Sequence, residues 1–242
     1  MSTPRFYCAL ALVPGSTVAL PAETFHHAVR VRRLRAGDAL ILFAGDGREA
    51  AAILVAVDRG GATAAIAAVD AVDRESPLQI TLLQGISSGD RMDYTLQKAV
   101  ELGVSAIVPV TAQRSVVRLD RERAAKRGAH WQQIVVGACE QSGRNRIPEV
   151  MPAVSLADAL ARVAAAHRFV LSFDGGRRLR ELEAPAGPIA LLAGPEGGLT
   201  ADEERTARAA GYAPLSLGPR VLRTETAAIA TLAALQGLWG DG

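Results

Sequence analysis

Apolar positions follow two different rhythms, and the change falls near residue 75. Before it, apolar runs at 6–13, 39–43, 49–57 and 63–69 are of strand length. Gly45-Asp46-Gly47 and Arg59-Gly60-Gly61 punctuate them as hairpin turns do. Alanine is unusually frequent in these runs, and one helix is predicted over 22–31. Residues 70–77 are polar and end in Pro77, as a linker would. Beyond them, strand-length runs at 78–84, 105–110, 168–173, 189–193 and 213–217 alternate with helical segments at 90–102, 120–141, 155–167, 200–211 and 224–239. Such alternation predicts an α/β fold with a parallel sheet covered on both faces. The expected division is a small β-rich domain over 1–73 and an α/β domain over 77–242.

Local signals sharpen the helix ends. Thr200 and Glu203 have capping-box spacing, and Gly211 stands where a left-handed C-cap ends that helix. Ser155 is an N-cap, while Gly103 and Gly143 close the helices before them. The last segment carries Ala227, Ala228, Ile229, Ala230, Leu232, Ala233, Ala234, Leu235, Leu238 and Trp239, with almost no charge after Glu225. A helix apolar nearly all round is buried on more than one side. Other helices of the same chain or a second copy in a two-fold dimer would provide the cover, and the dimer is the expectation carried forward.

Composition changes this picture little, but charge placement does. Hydrophobic residues make up 49% of the 242, enough for a buried core, and the net charge is only +2. Of the 27 basic residues only Lys98 and Lys126 are lysine. Arginine is the better bidentate partner for phosphate. Arg30, Arg32, Arg33 and Arg35 fall within six residues, which suits either a solvated face or an RNA-phosphate patch. The stretch 114–127 carries six basic side chains against Asp120 and Glu122, and the same two readings are open for it, with Arg114 and Arg118 the RNA candidates. Cys8 and Cys139 provide neither a disulfide framework nor a metal-ligand set. Cys139 reads as a small packed side chain. His26 and His27 read as structural, and no metal is implied. No apolar run reaches bilayer length. Residues 6–13 read as a first strand rather than a leader, so the expected location is the cytoplasm.

Two loops stand apart. Gly194-Pro195-Glu196-Gly197-Gly198 follows the run 189–193, and Leu217-Gly218-Pro219-Arg220-Val221-Leu222-Arg223-Thr224-Glu225-Thr226-Ala227 follows the run 213–217. Each leaves a strand and enters a helix. Glycine lets a ligand touch the backbone, a helix start offers free N–H groups to an anion, and open α/β sheets bind ligands at that edge. Either loop alone reads as a tight turn. The pair, at matching ends of two strands, predicts a ligand site. Residues 85–89 lack the G-x-G-x-x-G spacing, and no Walker A pattern occurs.

With HHAVRVRRLRAGD at 26–38, GDRMDYTLQKAVELGV at 89–104 and EQSGRNRIPEV at 140–150, the two loops make the chain resemble the SPOUT class of RNA methyltransferases. More narrowly, it is similar to the ribosomal small-subunit methyltransferase E family, over nearly its whole length. That resemblance implies a SPOUT-type sheet with a C-terminal trefoil knot and an N-terminal PUA-like RNA-binding barrel. It implies methylation of N3 of a uridine in 16S ribosomal RNA, on free RNA or the small subunit, with S-adenosyl-L-methionine as donor. The donor loops map to Leu171, Ser172 and Phe173, to Gly194, Pro195, Glu196, Gly197 and Gly198, and to Leu217, Gly218, Val221 and Leu222. Leu192 and Leu222 would flank adenine, and Thr224, Thr226 and Ala227 would lie close by. For the chemistry the candidate cations are Arg223 and then Arg144, and the candidate bases are Glu140 and Glu225. Two other classes are weighed against this one. A nucleotide-dependent α/β enzyme lacks its phosphate-loop glycines here, and a non-catalytic RNA-binding protein would have no use for both glycine loops.

Overall fold

The computed structural model describes residues 3–115, 121–173 and 175–242. The chain packs as two compact units, residues 1–75 with 139–147, and residues 76–138 with 148–242.

The first unit is a five-stranded sheet built from β1 (Arg5–Tyr7), β2 (Thr17–Ala19), β3 (Ala39–Phe43), β4 (Arg48–Val57) and β5 (Ala62–Ala71), in the order β1-β3-β4-β5-β2. The β1–β3 pair is parallel and the remaining pairs are antiparallel. Alternating side chains of β4 and β5 reach the core as Ala50, Ala52, Leu54, Ala62, Ala64 and Ile66 beside Phe6, Leu40 and Leu42. Alanines fill that core, so their weak strand propensity yields to burial. The expected strand over 6–13 stops at Tyr7, because Leu10 and Val13 face solvent, and a further strand, β2, follows at Thr17–Ala19. The expected helix over 22–31 is α-helical only in α1 (Ala22–Phe25) and continues as a π turn through His26–Val31. Arg33 then adopts φ 60°, a left-handed conformation that an L side chain adopts at a cost.

The second unit carries β6 (Ile80–Gly85), α2 (Gly89–Glu101), β7 (Ala106–Thr111), α3 (Arg121–Ser142, whose last turn groups with the first unit), β8 (Glu149–Val150), β9 (Val154–Ser155), α4 (Leu156–Arg162), β10 (His167–Leu171), β11 (Arg177–Arg178), β12 (Ile189–Ala193), α5 (Ala201–Ala209), β13 (Ala213–Ser216) and α6 (Thr224–Trp239). The sheet order is β11-β13-β10-β12-β6-β7-β8, with β9 also on β7, and the pairs are parallel. Leu83, Val108, Val170, Ala190 and Leu192 meet Leu156, Ala159 and Leu160 of α4 and Ala207 of α5. α6 packs on α2 and on β12. The helix expected over 155–167 ends at Arg162, where Val163 turns extended.

Parallel pairing aligns the strand ends. Ala193 stands opposite Gln84, and Leu215 opposite Leu171, so the segments after β6, β10, β12 and β13 leave from one edge. Gly85 makes that edge possible, since a Cβ there would lie 2.3 Å from the Pro195 nitrogen.

Candidate donor site at the sheet edge

A cavity of about 320 Å³ opens at this edge, within the range of small-molecule sites. Its walls come from the ends of β10, β12 and β13 and the start of α6. Leu171, Ser172 and Phe173 form one side, Gly194 to Leu199 a second, and Leu217, Gly218, Arg220, Val221 and Leu222 a third, with Thr224 and Ala227 behind. Gly198 (φ 67°) and Gly218 (φ 105°) are left-handed, and a Cβ on either would meet nothing within 4 Å. Bare backbone therefore faces open space at two points, which only glycine allows without strain. Phe173 and Val221 are exposed apolar side chains on the rim.

The charged groups of this wall are held in different ways. Glu196 accepts hydrogen bonds from the Ser88 N–H (2.7 Å) and hydroxyl (2.8 Å). Burial works against its ionisation, yet the Ser88 donors and Arg91 hold its pKa below the usual carboxylate range. Its carboxylate thus ties the loop to the start of α2. Arg114 donates to the Gly197 carbonyl at 3.1 Å. A Cβ on Gly197 would lie 2.9 Å from that of Arg114, so this glycine serves close packing more than bare backbone. Glu204, in the first turn of α5, accepts from the Ser172 hydroxyl at 3.0 Å. Thr200 and Glu203 form the expected capping box, and the other oxygen of Glu203 accepts from the Gln113 N–H.

At α6 the N-cap residue is Arg223, and no side chain caps the helix among the described residues. Its first N–H groups thus remain available to an anion. Arg223 is exposed, and Glu225 keeps one buried oxygen, Oε2, without a hydrogen-bond partner among the described residues.

A profile of the RNA methyltransferase domain family matches residues 74–236, and one of the RNA methyltransferase PUA domain matches residues 20–67. The ribosomal RNA small subunit methyltransferase E of Bacillus subtilis is 35% identical over 229 residues, 90% of this chain and 89% of its own. That of Mycobacterium bovis is 33% identical over 95% of this chain and 90% of its own. Among solved structures, the Neisseria gonorrhoeae protein of that name, bound to S-adenosyl methionine, superposes with TM-score 0.92 at 46% identity, covering 99% of each chain. The chain belongs to the ribosomal RNA small subunit methyltransferase E family. A Legionella pneumophila methyltransferase solved with bound SAM has TM-score 0.97 at 40% identity, covering 100% of each chain. The fold is therefore that of the SPOUT methyltransferases, with a PUA-like β domain.

In this family member most of the expected donor residues line the cavity, and two do not. Leu192 is fully buried on the sheet face that packs against α4, and it is not part of the cavity lining. Thr226 is exposed outside the lining. Ala193, Leu199, Glu204 and Leu215 line it without having been expected there, Arg220 lines it from within the expected loop 217–222, and Arg114, expected instead to meet RNA, lines it too. Leu215 was legible as the inward residue of a strand end. Glu204 gave no sequence signal beyond lying one position after a capping box.

Glu140 and Arg144 stand in the first unit and do not line the cavity. The Glu140 oxygens accept from the Tyr7 N–H at 2.9 Å and face His27 Nδ1 at 3.0 Å. Burial pushes its carboxyl above the usual range, against the pull of those partners. Arg144 is 5% exposed and holds Glu75 through two nitrogens. Cys139 is buried, and burial pushes its thiol up to about 12, which leaves it inert as a nucleophile.

The four clustered arginines are exposed. The Arg30 guanidinium lies 5.5 Å over the Phe25 ring and donates to the Arg59 carbonyl. The Arg35 N–H donates to Asp38. Arg118 lies outside the described residues. No helix of the described residues is long and apolar enough to cross a membrane.

Proposed function

We propose that this protein methylates N3 of a uridine in 16S ribosomal RNA, with S-adenosyl-L-methionine bound in the cavity at the sheet edge. The observation that carries this is the edge itself: bare glycine backbone at Gly198 and Gly218, apolar walls at Leu171, Leu215, Leu217 and Leu222, and the uncapped start of α6. That set of groups suits a molecule with an aromatic base and a carboxylate. What the donor supplies when bound is an electrophilic methyl group on a sulfonium.

The chain supplies position and charge. The loops 194–198 and 217–222 would hold adenine by backbone groups, and the first N–H groups of α6 would take the carboxylate. Leu171, Leu217 and Leu222 exclude water. Removing the uracil N3 proton leaves negative charge on the ring and its carbonyl oxygens. Arg223, exposed at the α6 N-cap, is the cation for that charge. Glu225, in the first turn of α6 next to Thr224 of the cavity wall though not itself in the lining, is the base, in preference to Glu140, whose two oxygens are already engaged in the first unit. Arg32 and Arg33 lead the RNA-phosphate contacts, with Arg30 and Arg35 beside them. The division into an RNA-binding domain over 1–73 and a catalytic domain over 77–242, the trefoil knot, a homodimer through the apolar surface of α6, and a cytoplasmic location complete this reading.

Mass spectrometry of ribosomal RNA nucleosides tests it. Deleting the gene should remove one N3-methyluridine from small-subunit RNA, and the purified chain with S-adenosyl-L-methionine should restore it on subunits from the deletion strain. An unchanged nucleoside profile in the deletion strain overturns the assignment.

A further inference from the structure

Gln84 is fully buried at the end of an apolar strand, and nothing in the proposed chemistry uses it. It stands opposite Ala193 in the β6–β12 register, beside the point where Gly85 admits Pro195. Its Nε2 donates to the Gly85 carbonyl and to the Thr224 hydroxyl oxygen, both at 3.1 Å. The Thr224 hydroxyl donates in turn to the Gly194 carbonyl.

The donor and acceptor inventory closes in only one way. A carbonyl such as Gly194 can only accept, so the single hydroxyl proton of Thr224 is committed to it. The Thr224 oxygen must then accept, and the group facing it must be the Gln84 amine. The second amine proton goes to Gly85. The amide orientation is thereby set by its partners, and Oε1 is left buried with no hydrogen-bond partner among the described residues. A methionine or leucine would fill this place without an orphaned acceptor, and orphans of that kind destabilise a fold. The orphaned acceptor is thus the cost of a link that joins the end of β6 to the start of α6 beside the cavity.

We infer that Gln84 is a positioning residue for the donor site. It sets, through Thr224, the spacing between the 194–198 loop and the start of α6. Gly194 and Thr224 both line the cavity and Gln84 does not, so it acts on the ligand only through them. This rests on the donor-site reading above.

The test uses the full chain and S-adenosyl-L-methionine itself. Gln84→Met should weaken donor binding by about tenfold in calorimetry, one lost buried hydrogen-bond chain. Donor KM should rise by a similar factor, kcat should fall less, and affinity for RNA should stay within about twofold. Thr224→Val should match Gln84→Met, whereas Thr224→Ser, which keeps the hydroxyl, should lose clearly less affinity than Thr224→Val. Because the two side chains act in series, the double variant Gln84→Met/Thr224→Val should lose about tenfold rather than a hundredfold. Unchanged donor affinity in a folded Gln84→Met protein, or a multiplicative double variant, overturns the inference. Should Gln84→Met fail to fold, equal affinities for Thr224→Ser and Thr224→Val overturn it instead. A wild-type chain that binds no donor overturns both this inference and the site it rests on.

Discussion

Residues 140–146, EQSGRNR, and residues 217–225, LGPRVLRTE, look alike on paper. Each mixes glycine and arginine with an acid at a helix terminus, and both supplied catalytic candidates. The structure treats them in opposite ways. In the first, Glu140, Arg144 and Asn145 are taken into the first unit, and their polar atoms meet Tyr7, His27, Glu75, Arg5, Glu49 and the Val72 carbonyl. In the second, Arg220 and Arg223 are exposed and the backbone at Gly218 is bare. Burial makes the difference. A buried charge must be paired or it destabilises the fold, so a crowd of charges that sinks into a core becomes structure. One that stays at a sheet edge remains free to meet a ligand.

The sharpest way to break this comparison is to fill the bare backbone. Gly218→Val puts an L side chain at φ 105°, on the cavity wall and into open space. Backbone strain and steric exclusion together should cost about 4 kcal/mol of donor affinity, close to a thousandfold. Calorimetry should show that loss while circular dichroism stays near wild type. Gly197 is the weaker probe, since a side chain there meets Arg114 before it meets the cavity.

The converse variant is Arg144→Met. It leaves Glu75 without its buried guanidinium, and breaking such a pair should destabilise the fold by about 3 kcal/mol. Urea unfolding measures this. If residues 140–146 are structural, donor affinity in the folded variant should not change. A loss of affinity with unaltered stability would return Arg144 to the active site.

How far the sequence could show this follows from the same physics. The alternation of strands and helices, the capping box at Thr200 and Glu203 and both glycine loops are local patterns, and all were legible. Leu192 falls outside the cavity lining while its neighbour Ala193 is in it, because strand alternation reverses the facing of a side chain at each step and the resemblance locates a loop only to within a residue or two. Gln84 and Gly85 passed as a strand end and a turn, because their partners, Thr224 and Pro195, lie more than a hundred positions away. A polar residue closing an apolar strand was the available signal. The short strand β2, the π turn and the left-handed Arg33 left no periodic trace at all.

The smallest effect concerns the charges gathered around Glu49 in the first unit, and it tests whether they are structural. Arg74 (2.8 Å), with Arg5 and the Asn145 amide, holds the Glu49 carboxyl at about 2, against burial and below its ordinary 4.5. A carboxylate lowered in the folded state stabilises the fold above its unfolded value, and that stabilisation fades as pH falls through the window from 4.5 to about 2. Arg74 is 40% exposed, so solvent weakens its share. The wild-type protein should then lose about 1–2 kcal/mol between neutral pH and about pH 3 through this group alone. Glu49→Gln should start less stable at neutral pH and show a flatter acid limb. Glu140 runs the other way, because a carboxyl raised by burial regains stability as it protonates, so Glu140→Gln should steepen the net acid loss. Urea midpoints taken across the acid range separate the three proteins. Parallel acid limbs for wild type and Glu49→Gln would show that the Arg74 and Arg5 contacts are surface ornaments rather than the anchor of this unit.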